Sequence, residues 1–252
     1  GLMNLTGEPD GMPMRAGFSL VDLFTGMMAY GSIMTALYHR QQTGQGQWIE
    51  AALLDGQVAA MSYHAAAYMA TGVEPIRMGS GHPGLVPYQS FPASDGFFIL
   101  GVANQGLWQR FCQVIQRPDL LEDPKFVTND DRVANRSECV QILTEIFQTR
   151  TVAEWMEIIG DAGVPCGPIK RVSEVLSDPQ VLARDMVLNL PHPNVPDLRV
   201  AGSPLKLTET PPSVRYPPPL LGQHNEEVLT ELGYNAKEIA RLRESGVIGK
   251  SK

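Results

Sequence analysis

The sequence has few cysteines, few aromatic residues and no cluster of basic charge. Its 252 residues include three cysteines, Cys112, Cys139 and Cys166, which are far apart and lack the spacing of metal ligands. Their sparseness predicts buried free thiols in a reducing compartment. Lys and Arg are scattered and the formal net charge is -7. This charge argues against nucleic acid or an anionic membrane as a partner, because both attract basic surfaces.

Long apolar runs are also missing. No eighteen consecutive residues are all apolar, and the opening residues do not have the pattern of a signal peptide. We therefore expect a soluble intracellular protein, cytoplasmic or, in a eukaryote, in the mitochondrial matrix. The chain starts at Gly1 rather than Met, and residues 1–5 resemble the interior of a domain. We expect the natural protein to extend further upstream.

The first third of the chain predicts helices. Ser19 and Asp22 match a capping box before a run, ending at His39, that is apolar on nearly every side. Such a helix is expected inside a core. A short strand is predicted over Trp48–Ala52 and a further helix over Leu54–Met69.

The middle of the chain predicts a separate small α+β domain. Tyr88–Phe91 and Phe97–Val102 flank Asp95-Gly96 and indicate a hairpin. Helices are predicted over 106–117, 131–148 and 152–160, the last behind a capping box from Thr151 to Glu154. Further strands are predicted over 186–190 and 198–207, followed by an extended proline-rich strap over 208–221 and two closing helices, the second behind Asn235.

An ordered set of short motifs resembles class III CoA-transferases, the family of formyl-CoA:oxalate and carnitine CoA-transferases. The motifs span nearly the whole chain. They are Gly1-Leu2-Met3, Thr6-Gly7-Glu8-Pro9, Gly17-Phe18-Ser19-Leu20-Val21-Asp22, Thr43-Gly44-Gln45-Gly46-Gln47, Leu54-Asp55, His82-Pro83, Pro87-Tyr88-Gln89, Gly163-Val164-Pro165-Cys166-Gly167-Pro168, Asp178-Pro179-Gln180-Val181 and Pro219-Leu220-Leu221-Gly222-Gln223-His224.

The resemblance implies an α/β fold with a Rossmann-like large domain, built from both chain ends, and an inserted small α+β domain. The corresponding segments are 1–74 with the catalytic Asp, 75–185 as the small domain, and 186–252 as the strap and helices that return to the large domain. It also implies an interlocked homodimer of the full-length protein. No permanently bound cofactor is expected, since coenzyme A and acyl-CoA are substrates.

The family's nucleophilic aspartate falls on Asp22. A carboxylate near the first turn of a helix is favoured by the macrodipole and needs no separate base. The resemblance implies an acyl anhydride and then a CoA thioester on this residue. Judged by position alone, Asp22 is more simply a helix cap. Cys166 lacks a nearby base and is not expected to be a nucleophile.

Gly79-Ser80-Gly81-His82-Pro83-Gly84 fits the dinucleotide pattern GxGxxG literally. The prolines around it exclude the strand and helix that such a fingerprint needs. The resemblance implies instead a flexible glycine loop that closes over the active site. His82 either binds a substrate oxygen or is structural. The loop lacks the consecutive glycines of formyl-CoA transferases, which argues against formyl-CoA and oxalate as substrates.

The substrates are expected to be an acyl-CoA and a carboxylic acid. The loop and strap are similar to the succinate/hydroxymethylglutarate type, which favours a dicarboxylic acyl-CoA. Arg15, Arg77 and Lys170 are candidate partners for its distal carboxylate.

Two alternatives remain open. One is an α-methylacyl-CoA racemase of the same superfamily, although racemases resemble Asp-Phe-Gly-Gly-Gly where this chain has Asp22-Leu23-Phe24-Thr25-Gly26. The other is a truncated, non-catalytic chain that only binds a partner.

Overall fold

The structure is a computed structural model that describes residues 1–249. The chain divides into two compact units, Gly1–Ile169 and a second unit that begins at Lys170. The three-part division near residues 75 and 185 stays a prediction.

The first unit opens with four helices, α1 (Leu2–Leu5), α2 (Leu20–Thr43), α3 (Leu53–Ala60) and α4 (Ser62–Thr71). Gly44 ends α2 in the left-handed region at φ 75°. The single helix predicted over Leu54–Met69 is broken at Ser62, a non-glycine residue at φ 49°. The strand predicted at Trp48–Ala52 is wrong, because these residues pair with no strand in the part of the chain described.

The prediction that α2 lies inside a core is also wrong for residues 1–249. Of its side chains only Thr25 and Ala36 are buried, while Met27 is 74% exposed. The helix packs mainly on α3, where a Cβ at Gly56 would collide with Thr25 Oγ1. The helix α2 is long and apolar enough to cross a membrane. Core helices of soluble proteins also meet this criterion of length and composition. The cytoplasmic location stays a prediction.

The rest of the first unit surrounds a three-stranded antiparallel sheet, β1 (Tyr88–Pro92), β2 (Phe97–Gly101) and β3 (Cys166–Pro168), in the order β1-β2-β3. The predicted hairpin is confirmed, with Ser90 opposite Ile99. The helices are α5 (Gln105–Val114), α6 (Asp119–Glu122), α7 (Asn129–Ala134), α8 (Arg136–Phe147) and α9 (Val152–Asp161). The capping box from Thr151 to Glu154 is formed, whereas the helix predicted over 131–148 is interrupted at Asn135.

The main apolar core lies between this sheet and these helices. Phe147 is fully buried and makes edge contacts with Phe98 and Trp155 at centroid distances of 4.9 and 5.2 Å. The core residues all come from positions 86–164. This part of the chain therefore buries its own apolar surface, in contrast to α2.

The second unit contains α10 (Val172–Val175), α11 (Pro179–Ala183), the antiparallel pair β4 (Val187–Leu190) and β5 (Leu198–Ala201), and then α12 (Asn225–Glu231) and α13 (Ala236–Glu244). The two predicted strands are confirmed, although the second ends earlier than expected. The capping box from Asn235 to Glu238 is formed. Residues 208–221 have neither helix nor strand, as predicted for a strap.

Candidate active site

Asp22 lies in the first turn of α2, and its carboxylate is not used as a cap. Ser19 is the N-cap residue, as predicted, but its side chain makes no cap hydrogen bond and the expected capping box is not formed. Asp22 is exposed, and no hydrogen bond or ion pair of its carboxylate occurs within residues 1–249. The simple capping interpretation is therefore wrong. The aspartate is an available carboxylate at the favourable end of a long helix.

The glycine loop, residues 79–84, contacts the motif Thr6-Gly7-Glu8-Pro9. The Gly79 N–H donates to Gly7 O at 2.9 Å. Gly79 has a φ of 58°, and a Cβ built on it would lie 3.0 Å from Glu8 Oε2. A side chain at this position would therefore meet both backbone strain and the Glu8 carboxylate. Two motifs that are distant in sequence meet here.

Arg77 donates hydrogen bonds to the same turn, so its guanidinium is not free to bind a substrate. Its Nη2 donates to Gly11 O at 2.8 Å, its Nε to Glu8 O at 3.3 Å and its Nη1 to Asn4 Oδ1 at 3.3 Å. Lys170 is likewise occupied, in an ion pair with Asp178. Of the three cations proposed from the sequence, only the exposed Arg15 has no partner within residues 1–249.

The glycine loop is hydrogen-bonded at several points to the β1–α8 region, and its flexibility stays a prediction. Ser80 Oγ lies 2.6 Å from Ser90 Oγ and accepts from the Ser90 N–H. The His82 N–H donates to Tyr88 O at 2.9 Å. Any closing movement of this loop must break these bonds or carry the anchoring strand with it.

Three side chains from α7 and α8 complete the anchoring, and sequence reasoning missed all of them. Arg136 Nη2 donates to His82 O and Pro83 O at 2.8 and 2.9 Å. Asn129 Nδ2 donates to Gly84 O at 2.9 Å. Arg132, fully buried, donates from Nε to Val86 O at 2.7 Å and stacks over Trp108. They lie 45 to 54 positions from their partners, so no local pattern signals the contacts.

Desolvation by burial lowers the pKa of both arginines from its usual value. Arg136 also has a buried Nη1 with no hydrogen-bond partner in the described part of the chain. A Cβ built on Gly81 would lie 3.6 Å from this nitrogen. That distance is an ordinary van der Waals contact, whereas the same Cβ would lie only 3.0 Å from Met78 O, so the loop backbone is what favours glycine at position 81.

The remaining candidates from the sequence are accounted for. Burial raises the pKa of the Cys166 thiol, which disfavours the thiolate and agrees with the expected absence of nucleophilic character. His224 pairs with Glu227 at 2.8 Å.

Asp22 and the glycine loop belong to the same unit, but no hydrogen bond or ion pair joins them within residues 1–249.

Comparison with known proteins settles the family. A sequence model of CoA-transferase family III matches residues 1–225, a range that contains Asp22 and the entire glycine loop. The chain belongs to CoA-transferase family III. The resemblance drawn from the motifs is thereby confirmed.

Individual members of the family are similar over most of the chain. Succinyl-CoA:glutarate CoA-transferase of Homo sapiens is 38% identical over 98% of this chain and 57% of its own length. Acetyl-CoA:oxalate CoA-transferase of Acetobacter aceti is 37% identical over 82% of this chain and 52% of its own length. The chain thus spans little more than half the length of these relatives.

A solved structure supports the fold. A CAIB/BAIF family protein from Brucella suis superposes with a TM-score of 0.77 at 34% identity, over 92% of this chain and 60% of that one. Together with the mixed helices and strands, this establishes the predicted α/β class.

Proposed function

We propose that a protein carrying this chain moves CoA from an acyl-CoA donor to a carboxylic acid acceptor, with Asp22 as the nucleophile. The carboxylate of Asp22 is exposed and makes no capping hydrogen bond, and this observation carries the proposal. The motif resemblance implies that Asp22 is the family's catalytic aspartate, and the chain that carries it belongs to CoA-transferase family III.

The chemistry follows from a carboxylate that is a nucleophile without a separate base. A carboxylate oxygen of Asp22 attacks the acyl carbonyl carbon, the carbon–sulfur bond breaks, and CoA leaves as the thiolate. The thiolate then attacks the Asp22 carbonyl of the mixed anhydride and releases the donor acid. This leaves an aspartyl-CoA thioester. The acceptor carboxylate attacks the thioester carbonyl, the carbon–sulfur bond breaks, and a second mixed anhydride forms as CoA leaves as the thiolate. The thiolate then attacks the acceptor acyl carbonyl of this anhydride, which forms the new acyl-CoA and restores the Asp22 carboxylate.

We also propose the architecture in which this chemistry takes place. The helices at both chain ends would belong to a Rossmann-like large domain, and two full-length subunits would interlock as a homodimer. The exposed apolar surface of α2 supports the first point, since such a surface needs a cover that residues 1–249 do not provide. The proline-rich strap, which has neither helix nor strand, supports the second.

A dicarboxylic acid is the substrate class we favour. The human relative is named for succinyl-CoA and glutarate, and the substrates of this chain would be of that type. The Acetobacter relative, named for oxalate, weakens the argument against oxalate that was based on the glycine loop. Oxalate therefore belongs among the acceptors to be tested.

The test is CoA exchange by the full-length protein, with succinyl-CoA as donor and glutarate, oxalate and butyrate as separate acceptors. We expect acceptor-dependent formation of the new acyl-CoA, preference for dicarboxylates, and loss of exchange in Asp22→Asn. Absence of exchange with every acceptor would contradict the proposal. If α-proton exchange of a branched acyl-CoA in deuterated solvent occurred instead, the racemase alternative would replace it.

A further inference from the structure

His82 is held at three points, and these contacts determine which ring nitrogen carries hydrogen. Its N–H donates to Tyr88 O at 2.9 Å and its carbonyl accepts from Arg136 Nη2 at 2.8 Å. Its Nδ1 accepts the N–H of Gly84 at 3.1 Å. A nitrogen that accepts a hydrogen bond carries no hydrogen of its own, so the neutral ring has its hydrogen on Nε2.

The Nε2–H has no acceptor within residues 1–249. The half-buried imidazole lies near the rings of Tyr63 and Tyr88, with centroid distances of 5.8 and 5.5 Å. Tyr63 directly follows Ser62, whose left-handed backbone conformation separates α3 from α4. Strained backbone of this kind persists where the surrounding structure enforces it, often at ligand sites.

These observations describe an oriented hydrogen-bond donor beside two tyrosine rings. The fixed backbone on both sides of His82 reduces the entropy lost when the ring binds a ligand. A carbonyl or carboxylate oxygen is the acceptor type that such a donor fits.

We propose that His82 Nε2–H binds an oxygen of the transferred acid, with Tyr63 and Tyr88 lining its carbon chain. The proposal rests on the transferase function proposed above and names the group that recognises its acid substrate. The oxygen belongs either to the carboxylate at the far end of a dicarboxylic acid or to the reacting acyl group. His82 would then be a substrate-binding residue of the glycine loop.

Two variants separate ligand binding from loop anchoring. In His82→Asn the side-chain oxygen replaces Nδ1 as acceptor for the Gly84 N–H, while the donor at Nε2 is lost. In His82→Gln a donor remains near the Nε2 position, while the Nδ1 acceptor is lost. A structural role predicts greater damage from Gln, whereas the proposal predicts greater damage from Asn.

The experiment measures glutarate and butyrate binding to the full-length protein by calorimetry, together with KM and kcat for each acid. We expect His82→Asn to raise the Kd and KM for glutarate about tenfold, the loss of one hydrogen bond, with the melting temperature unchanged and His82→Gln close to wild type. A loss confined to glutarate assigns the distal carboxylate, and an equal loss for butyrate assigns the acyl oxygen. Unchanged binding in His82→Asn, or equal losses in both variants, would overturn the proposal.

Nitrogen-15 spectra of labelled histidine provide a readout that does not depend on activity. Hydrogen on Nε2, and a change in its chemical shift on addition of glutarate, are expected. Hydrogen on Nδ1 would overturn the assignment. Glutarate binding without any acyl transfer would contradict the proposed function while leaving the role of His82 supported, so the two failures are distinguishable.

Discussion

The Arg136 guanidinium holds the carbonyl oxygen of His82 at 2.8 Å, and the same nitrogen lies 2.9 Å from the carbonyl oxygen of Pro83. One side chain from α8 thus fixes the middle of the glycine loop. The contact joins the core of the β-sheet region to the glycine loop. The position of the loop therefore depends on the packing of that core.

Arg136→Met should release the glycine loop. The variant removes a charged donor from two carbonyl oxygens, at an expected cost of about 2–3 kcal/mol in the free energy of unfolding. Hydrogen exchange should accelerate at residues 79–86. Arg136→Lys, which keeps one donor, should show a smaller effect. Arg117→Ala, which breaks an exposed ion pair with Asp119, is the matched control and should leave exchange in the loop unchanged.

Phe147→Ala should destabilise the unit that contains the sheet. Phe147 is fully buried against Phe91, Phe98 and Trp155. Loss of the ring should lower the free energy of unfolding by about 3–5 kcal/mol in chemical denaturation, and Phe147→Leu should lower it by less. Equal, small effects of both substitutions would show that this aromatic cluster is not the core.

Local patterns in the sequence predicted much of this region. The Asp95-Gly96 turn between two strand-like runs predicted the hairpin, and Thr151 with Glu154 marked the start of α9. In both cases residues close in sequence make the decisive contacts. The left-handed Ser62 and the break at Asn135 were missed because tertiary packing overrides a continuous helical pattern.

The candidate site was predicted less completely. Motif resemblance selected Asp22 and the glycine loop, but nothing local pointed to Arg136 or Asn129 as loop anchors. Arg77 was proposed for a substrate carboxylate and instead braces the turn around Glu8. A side chain's charge and nearness in sequence do not show which carbonyl oxygens the fold brings to it.

Alkaline pH should destabilise the fold through two buried thiols. Burial raises the pKa of Cys112 and of Cys139 from 9.0 to about 12. The stability from keeping these thiols neutral is complete below pH 9 and is lost as the pH rises toward 12. At pH 10 each thiol should reduce the free energy of unfolding by on the order of 1 kcal/mol.

Denaturation at pH 8 and pH 10 measures this slope. A double variant, Cys112→Ala with Cys139→Ala, should be less stable at pH 8 but should lose less stability on going to pH 10. Alkylation of the native protein should modify the half-buried Cys166 before the other two. Rapid alkylation of Cys112 would contradict the assigned burial.

The 252-residue chain on its own should self-associate through α2. Met27 and Ile33 are 74% and 47% exposed on this helix, and apolar surface of this extent promotes association. The paired variant Met27→Glu, Ile33→Glu should shift the sedimentation profile toward monomer. Val172→Glu, at an equally exposed apolar site in the second unit, should not. A wild-type chain that is monomeric at all concentrations would contradict this expectation.

The central claim is that Asp22 carries the acyl group. Its most direct test is mass spectrometry of the full-length protein after reaction with succinyl-CoA, with a hydroxylamine quench and peptide mapping. The account predicts a hydroxamate on the peptide that contains Asp22, and no such modification in Asp22→Ala. A hydroxamate on another residue, or acyl transfer that continues in Asp22→Ala, would contradict it.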